Sequence, residues 1–203
     1  MSKAVMLSVR PKWCEKIASG EKTIEVRKTR PKLETPFKVY IYCTAEMVGY
    51  DELWVLDAPS REKYLITAVC AYLQRAEGAN KGNRKVIGEF ICDRIYEIDK
   101  DSTDFLFKAG GLSVYKQAAE EKCGLCVAMT GDELHGYLGH CQGYGWHIAN
   151  LKIYDKPKEL SAFSRPFESC TGKVCDEFGC AFCENGGHIK RPPQSWCYVE
   201  AME

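Results

Sequence analysis

The chain has no apolar run approaching the ~20 residues that a membrane-spanning helix needs, and this argues against a helical membrane protein. It also has no excess of either charge, because Lys plus Arg and Asp plus Glu both number 28. A neutral chain makes no broad grip on a phosphate backbone, so any contact with nucleic acid must come from a local basic cleft. No repeat period and no low-complexity tract is present, which excludes a solenoid or a repeat array. The opening residues MSKAVMLSVRPKWCEK carry a short apolar run without a small-residue cleavage site. They read as a first strand, not a signal peptide, and predict a cytoplasmic protein.

What is present is a chain of 203 residues, 45% hydrophobic and 28% charged, the profile of an ordinary globular protein. That length predicts one domain, 1–203, able to bury a core without a disulfide scaffold. In a reducing compartment its 12 cysteines are thiols or metal ligands. Cys43, Cys70, Cys92 and Cys197 lie in apolar strand-like runs and read as small buried hydrophobes, and Cys14 in the first helix joins them.

Along the chain, residues 3–10 read as a strand. Residues 11–20 read as a short amphipathic helix, with Pro11 in its first turn and Gly20 at its stop. Strands follow at 22–28 and at 37–44, with 65–77 favoured as another. Residues 85–98 read as one long strand with a possible bulge at Gly88. Residues 113–139 form a helical excursion. Within it, Thr130 and Glu133 have capping-box spacing. Strand character returns at 143–155 and at 194–202, with a short helix at 156–163. Mostly consecutive strands with few crossovers predict an α+β fold: a mixed sheet or small barrel with helices at its ends.

Residues 167–190 hold a cysteine-rich insert. Cys170, Cys175, Cys180 and Cys183 fall within fourteen residues, and Cys180 and Cys183 have the two-residue separation of a metal knuckle. Val174, Phe178 and Phe182 are its only large apolar groups, so structural zinc is the natural source of order. His188 is a substitute ligand. Cys123 and Cys126 have the same spacing inside a helical pattern, which fits packing or a shared site with Cys180 and Cys183. The bland alternative for the insert is a loop of free thiols.

In the run TIEVR, strand geometry sends Ile24 and Val26 to one face and Thr23, Glu25 and Arg27 to the other. The stretch MLSVRPKWCEKIASGEKTIEVRKTRP resembles the ASCH domain. The hallmark of that family is a strand, a helix and a Gly-x-Lys-x-x-Glu-x-Arg run, here Gly20, Lys22, Glu25 and Arg27. The segments KVIGEFICD, YGWHIANLKIYDKPKELSAF and RPPQSWCYVE are similar to strands of a bacterial and phage subgroup.

The resemblance implies a β-barrel of the PUA type, with a cleft for RNA or a modified nucleoside. Some small bacterial members deacetylate N4-acetylcytidine through a threonine nucleophile assisted by the lysine matching Lys22. Glu25 stands at that threonine position here. In an ASCH-like barrel, Ser8, Arg10, Lys22 and Arg27 would form a positive patch for a phosphate or a base carbonyl. Glu25 could accept from an exocyclic amine, as carboxylates do from cytosine. Tyr144 and Trp146 share a strand face and could stack a base, or pack in the core. If there is catalysis, Lys22, desolvated beside arginines, acts as a base and Glu25 positions or activates water, giving an amidohydrolase of an N-acylated nucleoside. A third reading makes the cysteine knuckle and the helices of 113–139 a protein-interaction surface. The scattered His135, His140 and His147 read as structural.

Overall fold

The computed structural model describes residues 2–44, 84–98, 106–109, 112–115, 126–139, 141–166 and 187–202, with backbone alone at 106–109 and 112–115. The apolar run KAVMLSV becomes β1 (Lys3–Val9), buried on both faces after its first residue. Its two faces go to separate clusters, Val5 and Leu7 to one and Ala4 and Met6 to the other, and both its edges are paired, antiparallel to β10 (Trp196–Glu200) and parallel to β3 (Phe37–Cys43). A parallel neighbour requires a crossover. The crossover here contains α1 (Pro11–Ala18) and β2 (Ile24–Arg27). Pro11 opens the helix, where its missing N–H costs nothing, and Gly20 follows it at φ 81, a left-handed value that glycine adopts freely.

The first sheet has the order β10-β1-β3-β4-β9, with β4 at Val86–Cys92 and β9 at Ala149–Lys158. The second runs β2-β8-β5-β6-β7, with β8 at Gly143–His147, β5 at Ile95–Ile98, β6 at Leu106–Ala109 and β7 at Leu112–Tyr115. A core of Val5, Leu7, Val39, Ile41, Phe90, Trp146 and the helical Ile17 joins the two sheets. The outer face of the second sheet, through Ile24, Val26, Tyr96 and Ile98, packs on Leu134 and Leu138 of α2 (Gly131–Leu138). The other face of the first sheet, through Met6, Tyr40 and Val199, packs on Phe163 and Ile189.

The α+β class is as read. The closed barrel is not: among the described residues there are two open sheets. The difference arises at two corners. Residues 85–98 were expected as one strand, but the chain breaks at Asp93–Arg94 and passes from the first sheet to the second as β4 gives way to β5. Residues 143–155 likewise divide at Ile148, and β8 and β9 lie in different sheets. The corners are stitched together. The His147 amide donates to the Arg94 carbonyl at 3.0 Å, the His147 ring meets Asp93 at 2.6 Å, and the Ile148 amide donates to the Thr23 carbonyl at 2.9 Å. The sequence marks the breaks only faintly, by the adjacent charges Asp93 and Arg94 at the first and by the adjacent apolar Ile148 and Ala149 at the second.

Three smaller expectations also change. Residues 113–115, at the start of the segment read as helix, belong to the strand Leu112–Tyr115, and among the described residues of 113–139 the helix is α2. Lys156–Lys158 continue β9, since Lys158 pairs with Val86, and only a 3₁₀ turn at Leu160–Ala162 follows. Residues 65–77, Cys70, Cys123, His140 and most of the cysteine-rich insert, including Cys170, Cys175, Cys180 and Cys183, lie outside the described residues. The capping box is present. Thr130 Oγ1 accepts from the Glu133 amide at 3.2 Å, and Glu133 accepts from the Thr130 amide at 3.0 Å. Cys14, Cys43 and Cys92 are buried thiols, and Cys197 packs at the margin of the core. No helix among the described residues is long and apolar enough to cross a membrane.

Gly88 sits at a register shift in the β4–β9 pairing, as the bulge reading expects. A Cβ there would lie 2.5 Å from the Lys152 carbonyl oxygen, which is backbone and cannot swing aside. Gly88→Ala is expected to destabilise the fold by about 1–3 kcal/mol through overpacking, read as a lower urea midpoint with unchanged slope.

Candidate functional site

Lys22, Glu25 and Arg27 are buried, and they lie where the two sheets meet. Cross-strand register places Glu25 opposite Trp146 and Arg27 opposite Tyr144, so both charged side chains share the sheet face that carries the inner core. Ile24 and Val26 take the outer face under α2. The alternation of TIEVR is therefore real, and both of its faces are covered.

The three charges form one cluster. Arg27 Nη2 lies 2.8 Å from Glu25 Oε1, and Lys22 Nζ lies 3.5 Å from Glu25 Oε2. Lys22 Nζ donates to the Val127 carbonyl at 2.6 Å, just before α2. Arg27 Nη2 donates to the Ser8 carbonyl at 2.6 Å, at the end of β1, and Ser8 Oγ donates to the Pro193 carbonyl at 2.6 Å. The cluster thus ties the first sheet, the second sheet and the approach to α2. Burial lowers the Lys22 pKa from its usual 10.5, with Glu25 pulling the other way.

Two buried polar atoms here have no hydrogen-bond partner among the described residues, the acceptor Glu25 Oε2 and the donor Arg27 Nε. Such atoms are rare in native interiors. They belong to residues that line a cleft of about 660 Å³, together with Ser8, Arg10, Trp13, Lys22 and Tyr137. Arg10 is exposed at the rim. Lys22 Nζ lies 5.1 Å and Lys12 Nζ 4.2 Å from the Trp13 ring centroid. Across the mouth, Lys12 pairs with Glu133 at 3.0 Å, joining α1 to α2. Burial raises the Tyr137 phenol pKa, and the Arg27 charge opposes that shift.

Of the residues singled out from the sequence, Ser8, Arg10, Lys22, Glu25 and Arg27 come together in this cleft. The patch is less positive than expected, because Lys22 and Arg27 both lean on Glu25. Tyr144 and Trp146 are not part of it. Trp146 is 0% exposed between Phe37 and Trp196, in ring contact with both, and cannot stack a base. Tyr144 is half-buried against the inner core. The aromatic walls are instead Trp13 and Tyr137. Trp13 was legible only as a member of the α1 face. Tyr137 had one signal, Gly136 inside a helical pattern.

Gly136 also lines the cleft, and a Cβ added there would meet nothing within 4 Å. Neither packing nor backbone demands glycine at this point. Among the described residues no group of three or more His, Cys, Asp and Glu could hold a metal. His188 is exposed and lies 3.4 Å from Ser164 Oγ. Cys126, half-buried, is a free thiol whose carbonyl accepts from the Ile24 amide at 3.0 Å.

Removing one partner from a buried ion cluster strands the others. Glu25→Gln is expected to cost about 3–5 kcal/mol of stability in urea unfolding. Lys22 has a second signature. With its folded pKa below 10.5, the unfolded chain binds the extra proton between those two values. Its contribution to stability therefore rises with pH through that window. Unfolding titrations at successive pH values should show a steeper rise for the unmodified protein than for Lys22→Met.

No family model matches the chain, and no curated protein matches it. Among solved structures, the chain is similar to ASCH from Zymomonas mobilis, at 14% identity and a TM-score of 0.48, covering 97% of this chain and 87% of that one. A tyrosine-to-phenylalanine variant of the same protein gives 14% identity and a TM-score of 0.49, covering 98% and 91%. A serine-to-alanine variant gives 13% and 0.49, covering 97% and 88%. These solved neighbours carry the name of the family that the Gly20, Lys22, Glu25 and Arg27 run resembles.

Proposed function

We propose that this is an ASCH-type protein of PUA-like architecture whose cleft binds one nucleotide unit, free or in RNA, by the edge of its base. The observation that carries this reading is that Glu25 Oε2, though 3.5 Å from Lys22 Nζ, and Arg27 Nε accept or donate no hydrogen bond among the described residues while both residues line the cleft. A flat heterocycle with a neighbouring amine and carbonyl or ring nitrogen satisfies both. The amine donates to Glu25, and Arg27 donates to the ring acceptor. Trp13 on the wall supplies a surface for stacking. Arg10 at the rim is placed for the attached phosphate.

A second reading rests on Lys22, whose proton is loosened by burial beside Glu25. In an amidohydrolase, Glu25 Oε2 takes a proton from water as its oxygen adds to an acyl-amide carbonyl. Lys22 hands a proton to the departing amine as the C–N bond breaks, giving a carboxylic acid and a free exocyclic amine. Structural zinc on Cys170, Cys175, Cys180 and Cys183 belongs to this proposal as a separate support and takes no part at the cleft.

Calorimetric titration with cytidine monophosphate tests the binding reading. The unmodified protein is expected to bind, and Trp13→Ala to weaken binding about ten- to a hundredfold, the range for loss of one base–aromatic stack. Gly136→Ala should raise the thermal midpoint, since alanine suits a helix interior better by about 0.5–1 kcal/mol, while weakening the ligand by narrowing the mouth. Failure of the nucleotide to bind, or indifference to both substitutions, removes the reading. Incubation with N4-acetylcytidine decides the second: product that disappears in Lys22→Met supports hydrolysis, and absence of product rejects it.

A further inference from the structure

Lys12 stands at the mouth of the cleft and has two partners there. Its Nζ lies 3.0 Å from Glu133 Oε1 and 4.2 Å from the Trp13 ring centroid, over the ring. Lys12, Trp13 and Glu133 all line the cleft. The ring that the nucleotide reading offers to a base therefore has an ammonium group over it, and a carboxylate of the facing helix holds that ammonium in place. Lys22 and Lys16 also lie over the ring, at 5.1 and 5.7 Å. Lys22 is buried and donates to the Val127 carbonyl, so it cannot leave. Lys12 is exposed and can swing out into water.

Glu133 is fixed independently of Lys12. Its Oε2 accepts from the Thr130 amide at 3.0 Å, and its own amide donates to Thr130 Oγ1 at 3.2 Å. The capping box thus leaves Oε1 for Lys12. The Thr130 amide and then Lys12 hold the Glu133 carboxyl below its ordinary range, which keeps it ionised. On the other side of the mouth, the first turn of α1 carries no acid and no side-chain cap, and Arg10 stands just before it. An anion entering the cleft meets a positive rim that Glu133 alone of the cleft's exposed lining residues opposes.

An exposed ion pair shifts an equilibrium by no more than about fivefold, so it is a contact that a ligand can break. A phosphate monoester carries about −1.5 to −2 charges near neutral pH, more than the carboxylate it would replace. We propose that Lys12 and Glu133 form a gate on the cleft that a phosphate opens. The phosphate of an incoming nucleotide takes the place of Glu133 on Lys12, the ammonium leaves the Trp13 ring, and the base stacks where it lay. This rests on the nucleotide reading of the cleft and narrows it: the site selects a phosphorylated nucleotide over the bare nucleoside. A plain tie between α1 and α2 would affect both ligands alike.

The test is calorimetric titration of cytidine and of cytidine monophosphate into the unmodified protein, Lys12→Met, Glu133→Gln and the double variant. Both positions are exposed, glutamine keeps the capping-box acceptor, and methionine suits a helix. Lys12→Met is expected to move the two ligands in opposite directions. The monophosphate weakens about tenfold with the loss of one charge-assisted hydrogen bond. Cytidine tightens by up to about fivefold as the ring is uncovered. Glu133→Gln should tighten the monophosphate by up to about fivefold, and this gain should vanish when Lys12 is also replaced, the sign of coupling between the two.

If Lys12→Met shifts both ligands the same way or leaves both unmoved, the gate is overturned. The same holds if the gain from Glu133→Gln persists beside Lys12→Met, because Glu133 then acts only through its field. In either case monophosphate binding that still depends on Trp13 leaves the cleft reading standing. Monophosphate binding seen only after Glu133→Gln supports gate and cleft together. Binding of neither ligand to any of the four proteins overturns both.

Discussion

One carboxylate taken out of water sets the terms for the rest of the molecule. Glu25 is 5% exposed, and among the described residues it is ion-paired to Lys22 and Arg27, themselves buried. A buried charge is tolerated when it is paired and when its partners are hydrogen-bonded in turn. Those partners reach the Val127 carbonyl ahead of α2 and the Ser8 carbonyl at the end of β1. Meeting the needs of a single side chain therefore fixes a helix and two sheets relative to each other. The Gly20–Arg27 run is compact in sequence because a glycine turn, a lysine and a short strand bring all three charges to one place.

The same cluster explains why the cleft lies where it does. The apolar core between the sheets ends where the ion cluster begins, and Val9 and Cys14 stand on the core side of that boundary. Cys14 Sγ donates to the Val9 carbonyl at 3.6 Å, and the neighbouring Cys43 thiol together with burial holds it firmly protonated. Past the boundary, Trp13, Tyr137 and Arg10 form walls and a rim that no other segment among the described residues fills. On the proposed nucleotide reading, binding surface and structural clamp share residues, so affinity and stability would not be tuned independently at Glu25. They can be at Gly136, where an added methyl group meets nothing.

Much of this was legible in the sequence, and the rest was hidden for identifiable reasons. The alternation of Ile24 and Val26 with Glu25 and Arg27 was readable because a strand has period two. That both faces would be buried was not, because the pattern does not state how many layers cover a sheet. Trp146 and Tyr144 looked like a stacking pair because they share a face. Register shows that face to be the inner one, and only pairing with β2 and β5 reveals it. Among the described residues the chain changes sheet at Asp93–Arg94 and at Ile148, where the sequence offers only two adjacent charges and a one-residue slip in apolar phase as signals. Leu112–Tyr115 followed its pairing with β6 over its local helical character. The walls Trp13 and Tyr137 sit on helices far apart in sequence, which no local pattern connects.

The pairing of β1 with β10 in the register Lys3 to Glu200 has a consequence for biosynthesis. On a ribosome adding about 5–20 residues per second, the two strands emerge on the order of ten to forty seconds apart. Throughout that interval the hydrogen-bonding edge of β1 has no native partner, and it belongs to one of the most apolar strands in the protein. Gln194 and Ser195 line the cleft just ahead of β10, so the nascent chain cannot complete its pocket until residues 194–200 have emerged.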